Sequence, residues 1–295
     1  MKKIIKLSIG IPAYNEAANI KSLLRTILSQ SENSFKLQEI ILVSDGSSDK
    51  TVFEANKVKS NKINIIAESY RKGKSERINQ IINTFNGDIL LLIDADIKIK
   101  DKLLFSKIVE NNNFNKAGLI SVNAIPDKAN NFFQKIIKSG VIVSQQISST
   151  WNNGNNYLSF KGCFLGLSRN FAKKIQLDNS LVNNDAYLYL IAKKLGYYPE
   201  IYKGAEVYYK SPKNLSDHMN QSLRFKDSKK EMKKYFKKNL SSEYDIPVSV
   251  YGKAFIKGMM SNPILFTNYL LVRFITFIWP FENLKSTWRI ALSTK

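Results

Sequence analysis

The sequence predicts an α/β protein: a Rossmann-like, mostly parallel central sheet flanked by helices, with a C-terminal helical tail. Three observations carry this. Strand and helix patterns alternate through the N-terminal half. The run Ile89–Ile93 is wholly apolar, as in a strand buried on both faces. Beyond a basic helical stretch, an aromatic-rich tail completes the chain.

The elements follow in order. Ile4–Ile11 reads as a strand and Glu16–Gln30 as a helix. Glu39–Val43 is a second strand, and "DGSSDKT" turns into a helix with Asp49 at its N-cap. Lys62–Ala67, a helix after "RKGKSE", and Asp88–Ile93 continue the series, which implies right-handed βαβ units. Further on come a strand at Gly118–Ala124, a long helix near Asn131–Ser149, the polar loop "WNNGNNY" and a strand in "LSFKGCFLGLSR". "NNDAYLYLIAKKLGY" reads as a helix entered through Asn184 or Asp185, and a basic helix spans about Leu215–Lys238.

Composition narrows the chemistry. A single cysteine, Cys163, excludes an internal disulfide and a cysteine zinc cluster, and a single histidine, His218, argues against histidine-rich metal sites. Any bound metal is therefore held by oxygen, which favours Mg²⁺, Mn²⁺ or Ca²⁺. The net charge of +21 points to a polyanion, an anionic membrane or a phosphate-bearing substrate. The basic start "MKKIIKLSIGIPA" fits a first strand better than a signal peptide, because Lys6 interrupts the apolar run. The expected location is cytoplasmic, peripheral at the inner face of the cell membrane.

Asp94 and Asp96 follow the apolar run directly. Carboxylates are rarely buried without a partner, so both belong at the strand's C-terminal edge, where open α/β sheets bind ligands. Residues i and i+2 of a strand point the same way, and two carboxylates aimed at one spot repel unless a cation or proton lies between them. A turn with solvated acids is the alternative on spacing alone. Three further polar loops, "IPAYNEAANI", "VSDGSSDKT" and "SYRKGKSERIN", end the other predicted strands at the same edge.

With these four loops in order, the sequence resembles the family 2 glycosyltransferases, whose GT-A-type fold binds nucleotide sugars. Pro12-Ala13-Tyr14-Asn15-Glu16 matches the family's opening P-x-Y/N-N-E, and Asp45–Thr51 its D-D/G-S-S-D-x-T. Lys72-Gly73-Lys74, running to Ile78-Asn79, matches K-G-K/R-x-x-A-L-N, and Asp94-Ala95-Asp96 the D-x-D metal motif. The resemblance covers roughly Ile4–Phe225. It implies that Asp96 ligates Mn²⁺ or Mg²⁺ while Asp94 lies nearer the ribose. It also implies that Pro12, Tyr14, Glu16, Asp45, Lys72 and Lys74 belong to the donor nucleotide site. "LVNNDAYLYL" resembles the family's E-D-x-x-L/Y segment, which makes Asp185 the general base of an inverting transferase, although Asn184 stands where many members have Glu. Gln221, Arg224 and Phe225 resemble the Q-x-x-R-W motif near the diphosphate and acceptor, with Phe225 in place of Trp. The implied partners are a UDP- or GDP-type sugar donor and a carbohydrate or lipid-linked acceptor in cell-envelope synthesis.

The expected domain plan is a transferase domain over 1–240, its donor half about 1–100 and its acceptor half about 101–240, and a helical extension over 241–295. Seven lysines against two acids in Phe225–Lys238 suggest either a solvated helix face or contact with anionic lipid. "ILFTNYLLVRFITFIW" would span about 24 Å as a helix, too short to cross a bilayer. It either packs on the catalytic domain or lies in the interface, with Trp279 and Phe281 as anchors. "WNNGNNY" is either an exposed loop or an acceptor loop in which Trp151 stacks on a sugar. The competing reading is a basic nucleic-acid- or lipid-binding protein without transferase activity. It leaves the four aspartates Asp45, Asp94, Asp96 and Asp185 unexplained, and no nucleic-acid partner is expected.

Overall fold

The computed structural model describes residues 4–111, 113–236, 240–279 and 291–294. The chain forms two compact units, one of residues 1–125 and 160–209, the other of residues 126–159 and 210–294.

The first unit is built on one eight-stranded sheet in the order β3-β2-β1-β4-β7-β6-β8-β5. Its strands are β1 (Ile5–Ala13), β2 (Phe35–Asp45), β3 (Ile63–Glu68), β4 (Ile89–Ile93), β5 (Ile97–Lys98), β6 (Leu119–Pro126), β7 (Phe164–Ser168) and β8 (Glu200–Tyr209). Strands β3, β2, β1 and β4 are mutually parallel, whereas β4–β7, β6–β7 and β5–β8 are antiparallel pairs. The helices are α1 (Ile20–Leu28), α2 (Thr51–Asn56), α3 (Lys74–Thr84), α4 (Leu104–Asn111), α5 (Phe114–Ala117), α7 (Arg169–Ala172) and α8 (Asn184–Lys194). The parallel half thus follows the predicted βαβ alternation. All five residues of β4 are buried, as its unbroken apolar run requires. On α1, Ile20, Leu23, Leu24 and Ile27 bury one stripe at helical spacing.

Several local expectations shift. Asp49 accepts the amide of Thr51 at 2.9 Å, an Asx-type turn, so α2 begins two residues beyond it. Strands β5 and β8 had no clear signal in the sequence. Only Ala205 and Val207 of β8 are buried, so its apolar alternation is too weak to stand out.

The second unit is helical: α6 (Phe132–Thr150), α9 (Leu215–Lys226), α10 (Ser228–Tyr235), α11 (Ser241–Tyr244), α12 (Val248–Ser261) and α13 (Pro263–Ile278). The expected basic helix is two helices, broken at Asp227, and its last residues fall outside the described ones. Ile136, Ile137 and Val272 form the unit's small core. Gly140 of α6 faces the Tyr269 ring, and Gly258 of α12 packs against Phe266 and Val143. Trp151 is 3% exposed and meets Tyr157 edge-on, so it is a packing residue and presents no stacking face to a sugar.

Candidate active site

Because β1 to β4 run parallel, their C-terminal ends share one edge, and side-chain hydrogen bonds lace the loops there together. Asn15, in the left-handed region at φ 53°, donates its amide to Ser47 Oγ and accepts the Ser48 amide at 2.9 Å. The Glu16 amide donates to Thr51 Oγ1 at 2.7 Å, and the buried Glu16 carboxylate accepts Asn19 Nδ2. Pro12, one residue before the end of β1, pairs with Val43 of β2, and the Arg71 guanidinium lies 3.9 Å over the Tyr14 ring. Gly46 adopts φ 65° with the Tyr70–Arg71 backbone pressed against it, so a side chain there would part the second and third loops.

Asp45 is the hub of this arrangement. It is 4% exposed, and its Oδ1 accepts the Lys72 amide at 2.8 Å while Oδ2 accepts the Gly73 amide at 2.9 Å. Arg77, fully buried on α3, donates Nε to Asp45 Oδ1 at 2.6 Å. The same guanidinium reaches the Tyr70 carbonyl at 2.7 Å and Gln80 Oε1 at 2.8 Å. Arg77 is a residue that sequence reasoning passed over. Its signal was there, since it occupies the alanine position of the K-G-K-x-x-A-L-N pattern. Lys72 itself contributes its backbone here and leaves its side chain in solvent.

The aspartates after β4 form the second focus. Asp94 pairs with Lys74 Nζ at 2.5 Å, and its amide donates to the Cys163 carbonyl at 2.9 Å. Burial, with the charges of Asp94 and Asp96 adding to it, pushes the Cys163 thiol up to about 12. Lys74 also donates to the Gly162 carbonyl at 3.0 Å, and the Gly162 amide donates to Asp185 Oδ2 at 3.3 Å. Asp94, Lys74, Gly162 and Asp185 therefore form one continuous chain of polar contacts. Asp185 lies in the first turn of α8 and accepts the Ala186 amide at 2.9 Å. Its neighbour Asn184 is buried and donates to Ser75 Oγ at 2.5 Å, while Ser75 donates to the Leu181 carbonyl. Asn184 thus fastens the start of α8 to α3, a second role the sequence did not announce.

Gln221, Arg224 and Phe225 belong to α9 of the second unit. Arg224 Nε points to the Gln221 carbonyl at 3.4 Å, and Phe225 is 55% exposed.

Among the described residues no group of three or more His, Cys, Asp or Glu side chains is set to hold a metal. Two carboxylates at the end of β4 do fit a hard divalent cation of the Mg²⁺ type, which takes one or two protein carboxylates and fills its shell with phosphate oxygens and water.

Comparison with known proteins agrees with this geometry. The glycosyl transferase family 2 model matches residues 8–172, and the chain belongs to that family. An undecaprenyl-phosphate 4-deoxy-4-formamido-L-arabinose transferase of Photorhabdus laumondii is 34% identical over 100 residues, covering 33% of this chain and 31% of the relative. The match thus spans about a third of that protein's length. A probable glycosyltransferase of Bacillus subtilis, YdaM, is 25% identical over 238 residues, covering 76% of this chain and 55% of the relative. Among solved structures, a mannosyltransferase from Pyrobaculum calidifontis in complex with GDP-Man and Mn²⁺ shares the fold with a TM-score of 0.61 at 16% identity, over 95% of this chain and 77% of that one. Glucosyl-3-phosphoglycerate synthase from Mycobacterium tuberculosis, in complex with Mn²⁺, UDP and phosphoglyceric acid, does so with 0.52 at 16% identity, over 74% and 75%. The sheet is therefore of the GT-A type.

Proposed function

We propose that this chain is an inverting glycosyltransferase that moves a sugar from a UDP- or GDP-type donor to a hydroxyl acceptor, carbohydrate or lipid-linked, in cell-envelope synthesis at an anionic membrane surface. The observation that carries the reading is the contact chain from Asp94 through Lys74 and Gly162 to Asp185. It links a candidate base to one candidate donor carboxylate through Lys74 and a single glycine. The laced loops supply the donor site: Tyr14 and Arg71 offer a flat cationic face, and Lys72 and Lys74 offer positive charge for the diphosphate. Glu16 and Asp45 hold the loops that line it.

Asp185 takes the proton of the acceptor hydroxyl as that oxygen bonds to the anomeric carbon. The bond from that carbon to the diphosphate oxygen breaks on the opposite side, and the configuration inverts. Gly162 carries no side chain, which keeps the approach to Asp185 open: an added Cβ would lie 3.3 Å from the Asp185 Cβ. Asp96, with Asp94, would hold Mn²⁺ or Mg²⁺, whose charge supports departure of the nucleoside diphosphate. On α9, Gln221 and Arg224 share one face at i and i+3 with Phe225 beside them, and this set is the candidate for binding the diphosphate and acceptor.

Calorimetric titration of UDP and GDP, with and without Mn²⁺, tests the donor site. One nucleotide should bind only with metal, and Asp96→Ala should abolish it. Asp185→Asn should keep that binding and lose ~10²–10⁴-fold in transfer rate, the usual worth of a positioned base. Failure of both nucleotides to bind with Mn²⁺ present would overturn the reading.

A further inference from the structure

The second unit carries an apolar surface that the transferase chemistry does not use. Helices α12 and α13 each bury one narrow stripe: Val250, Ala254 and Gly258 on α12, and Phe266, Val272 and Thr276 on α13. A soluble helix would present polar residues on its other side. On α13 the opposite face instead holds Ile264, Leu271, Phe274, Phe277 and Ile278, at spacings of seven, three, three and one, within one arc of the helix. Ile264 is 70% and Phe277 75% exposed. On α12, Phe255, Ile256 and Met260 do the same, Met260 at 80%. Phe255, Phe274 and Phe277, each about half exposed or more, are side chains of roughly 150–250 Å² apiece, and with the five exposed aliphatic ones they reach the roughly 300–600 Å² of the largest apolar patch on an ordinary monomer.

Charge selects the occupant. No acidic residue occurs from Ile246 to Trp279, while Lys253 and Lys257 stand one turn apart beside the apolar arc of α12. Lys226 donates to the carbonyls of Phe277 and Trp279 at the C-terminal end of α13, adding a further cation there. An apolar face with a purely cationic margin complements anionic headgroups over hydrocarbon. It opposes a two-fold contact with a second copy, which would bring like charges together. The helices, of 14 and 16 residues, are about 21 and 24 Å long, short of the ~30 Å hydrocarbon core, and no helix among the described residues is long and apolar enough to cross.

We infer that α12 and α13 form a monotopic anchor, a helical hairpin lying in one leaflet of an anionic bilayer with Phe274 and Phe277 in the acyl region and Lys253 and Lys257 at the headgroups. Trp279, half exposed at the end of α13, marks the interfacial level; Phe281 lies outside the described residues. The inference specifies the membrane contact of the proposed function, and its test needs no turnover.

The full chain is floated with phosphatidylcholine vesicles, with and without phosphatidylglycerol. The wild type should float with the anionic vesicles. Phe274→Ser/Phe277→Ser should weaken partition at least ~tenfold, and Lys253→Glu/Lys257→Glu should remove the preference for phosphatidylglycerol. Both variants alter exposed side chains, so unchanged melting and unchanged nucleotide binding separate loss of the anchor from loss of the fold or of the donor site. Three results would overturn the inference. The wild type floats with neither vesicle, the Phe variant floats undiminished, or sedimentation shows a dimer that the Phe variant dissolves while vesicles stay bare.

Discussion

Replacing Arg77 by Met tests the most consequential contact in the donor edge. Arg77 is fully buried and Asp45 4% exposed, so the substitution strands a carboxylate that cannot reach water. Removing one partner of a buried ion pair costs about 3–5 kcal/mol. Here Asp45 keeps the Lys72 and Gly73 amides, which places the loss near the lower bound, about 3 kcal/mol. The Tyr70 carbonyl and Gln80 also lose donors. At roughly 2–4 °C per kcal/mol, the melting temperature should fall by about 6–12 °C. The paired experiment is Asp45→Asn, alone and combined with Arg77→Met. Asp45→Asn alone leaves the buried guanidinium with the more distant Glu68 carboxylate, 3.6 Å from Nη1, as its counter-charge. The double variant should therefore lose less than the sum of the two, by roughly 1–3 kcal/mol. A loss under about 0.5 kcal/mol for Arg77→Met, or strict additivity in the cycle, would refute the claim that the pair holds the loops.

Two further predictions concern the second unit. Burial and the charge of Arg273 push the His218 ring from its ordinary 6.5 down to about 4. Between those pH values the unfolded chain binds the proton and the folded one does not, so stability falls as the solution is acidified, by about 3 kcal/mol at the bottom of the window. Urea midpoints at pH 7.5, 5 and 4 should therefore drop more for wild type than for His218→Phe. Gly140→Ala would drive a methyl into the Tyr269 ring and push α13 off α6, which should cost about 1–3 kcal/mol in thermal melts. A neutral result would mean that the two helices are not closely packed there.

The parallel half of the sheet was legible because both kinds of evidence agreed. Strands buried on two faces write continuous apolar runs, and their loops carry polar signatures at the common edge. The antiparallel half was harder. Strand β8 has a charged and glycine-containing centre, and β5 is two residues long, too short for any period to register. Trp151 misled for a different reason. Its polar neighbours suggested a surface loop, yet the buried Asn156 ties the Ser148 and Trp151 carbonyls together and turns the indole inward.

The donor edge shows what motif reading leaves out. A motif fixes residue types at spacings, but the work of each side chain depends on what its neighbours have already claimed. A carboxylate offers about four acceptor positions. In Asp45 three are filled by Arg77 Nε and the Lys72 and Gly73 amides, all from the segment that follows β3. Asp45 therefore binds the chain to itself before it binds anything else. The residue responsible is Arg77, at a position where the pattern carries alanine and so demands nothing of the site. One side chain inserted there converts an open carboxylate into a buried clasp. It also fixes the Lys72–Lys74 turn, including the φ 98° of Gly73, whose amide must face inward to reach Oδ2. The same holds at α8, where Asn184, in place of a charged residue, needs no counter-ion and can sit buried against Ser75. Both departures from the pattern act through burial, which spacing does not record.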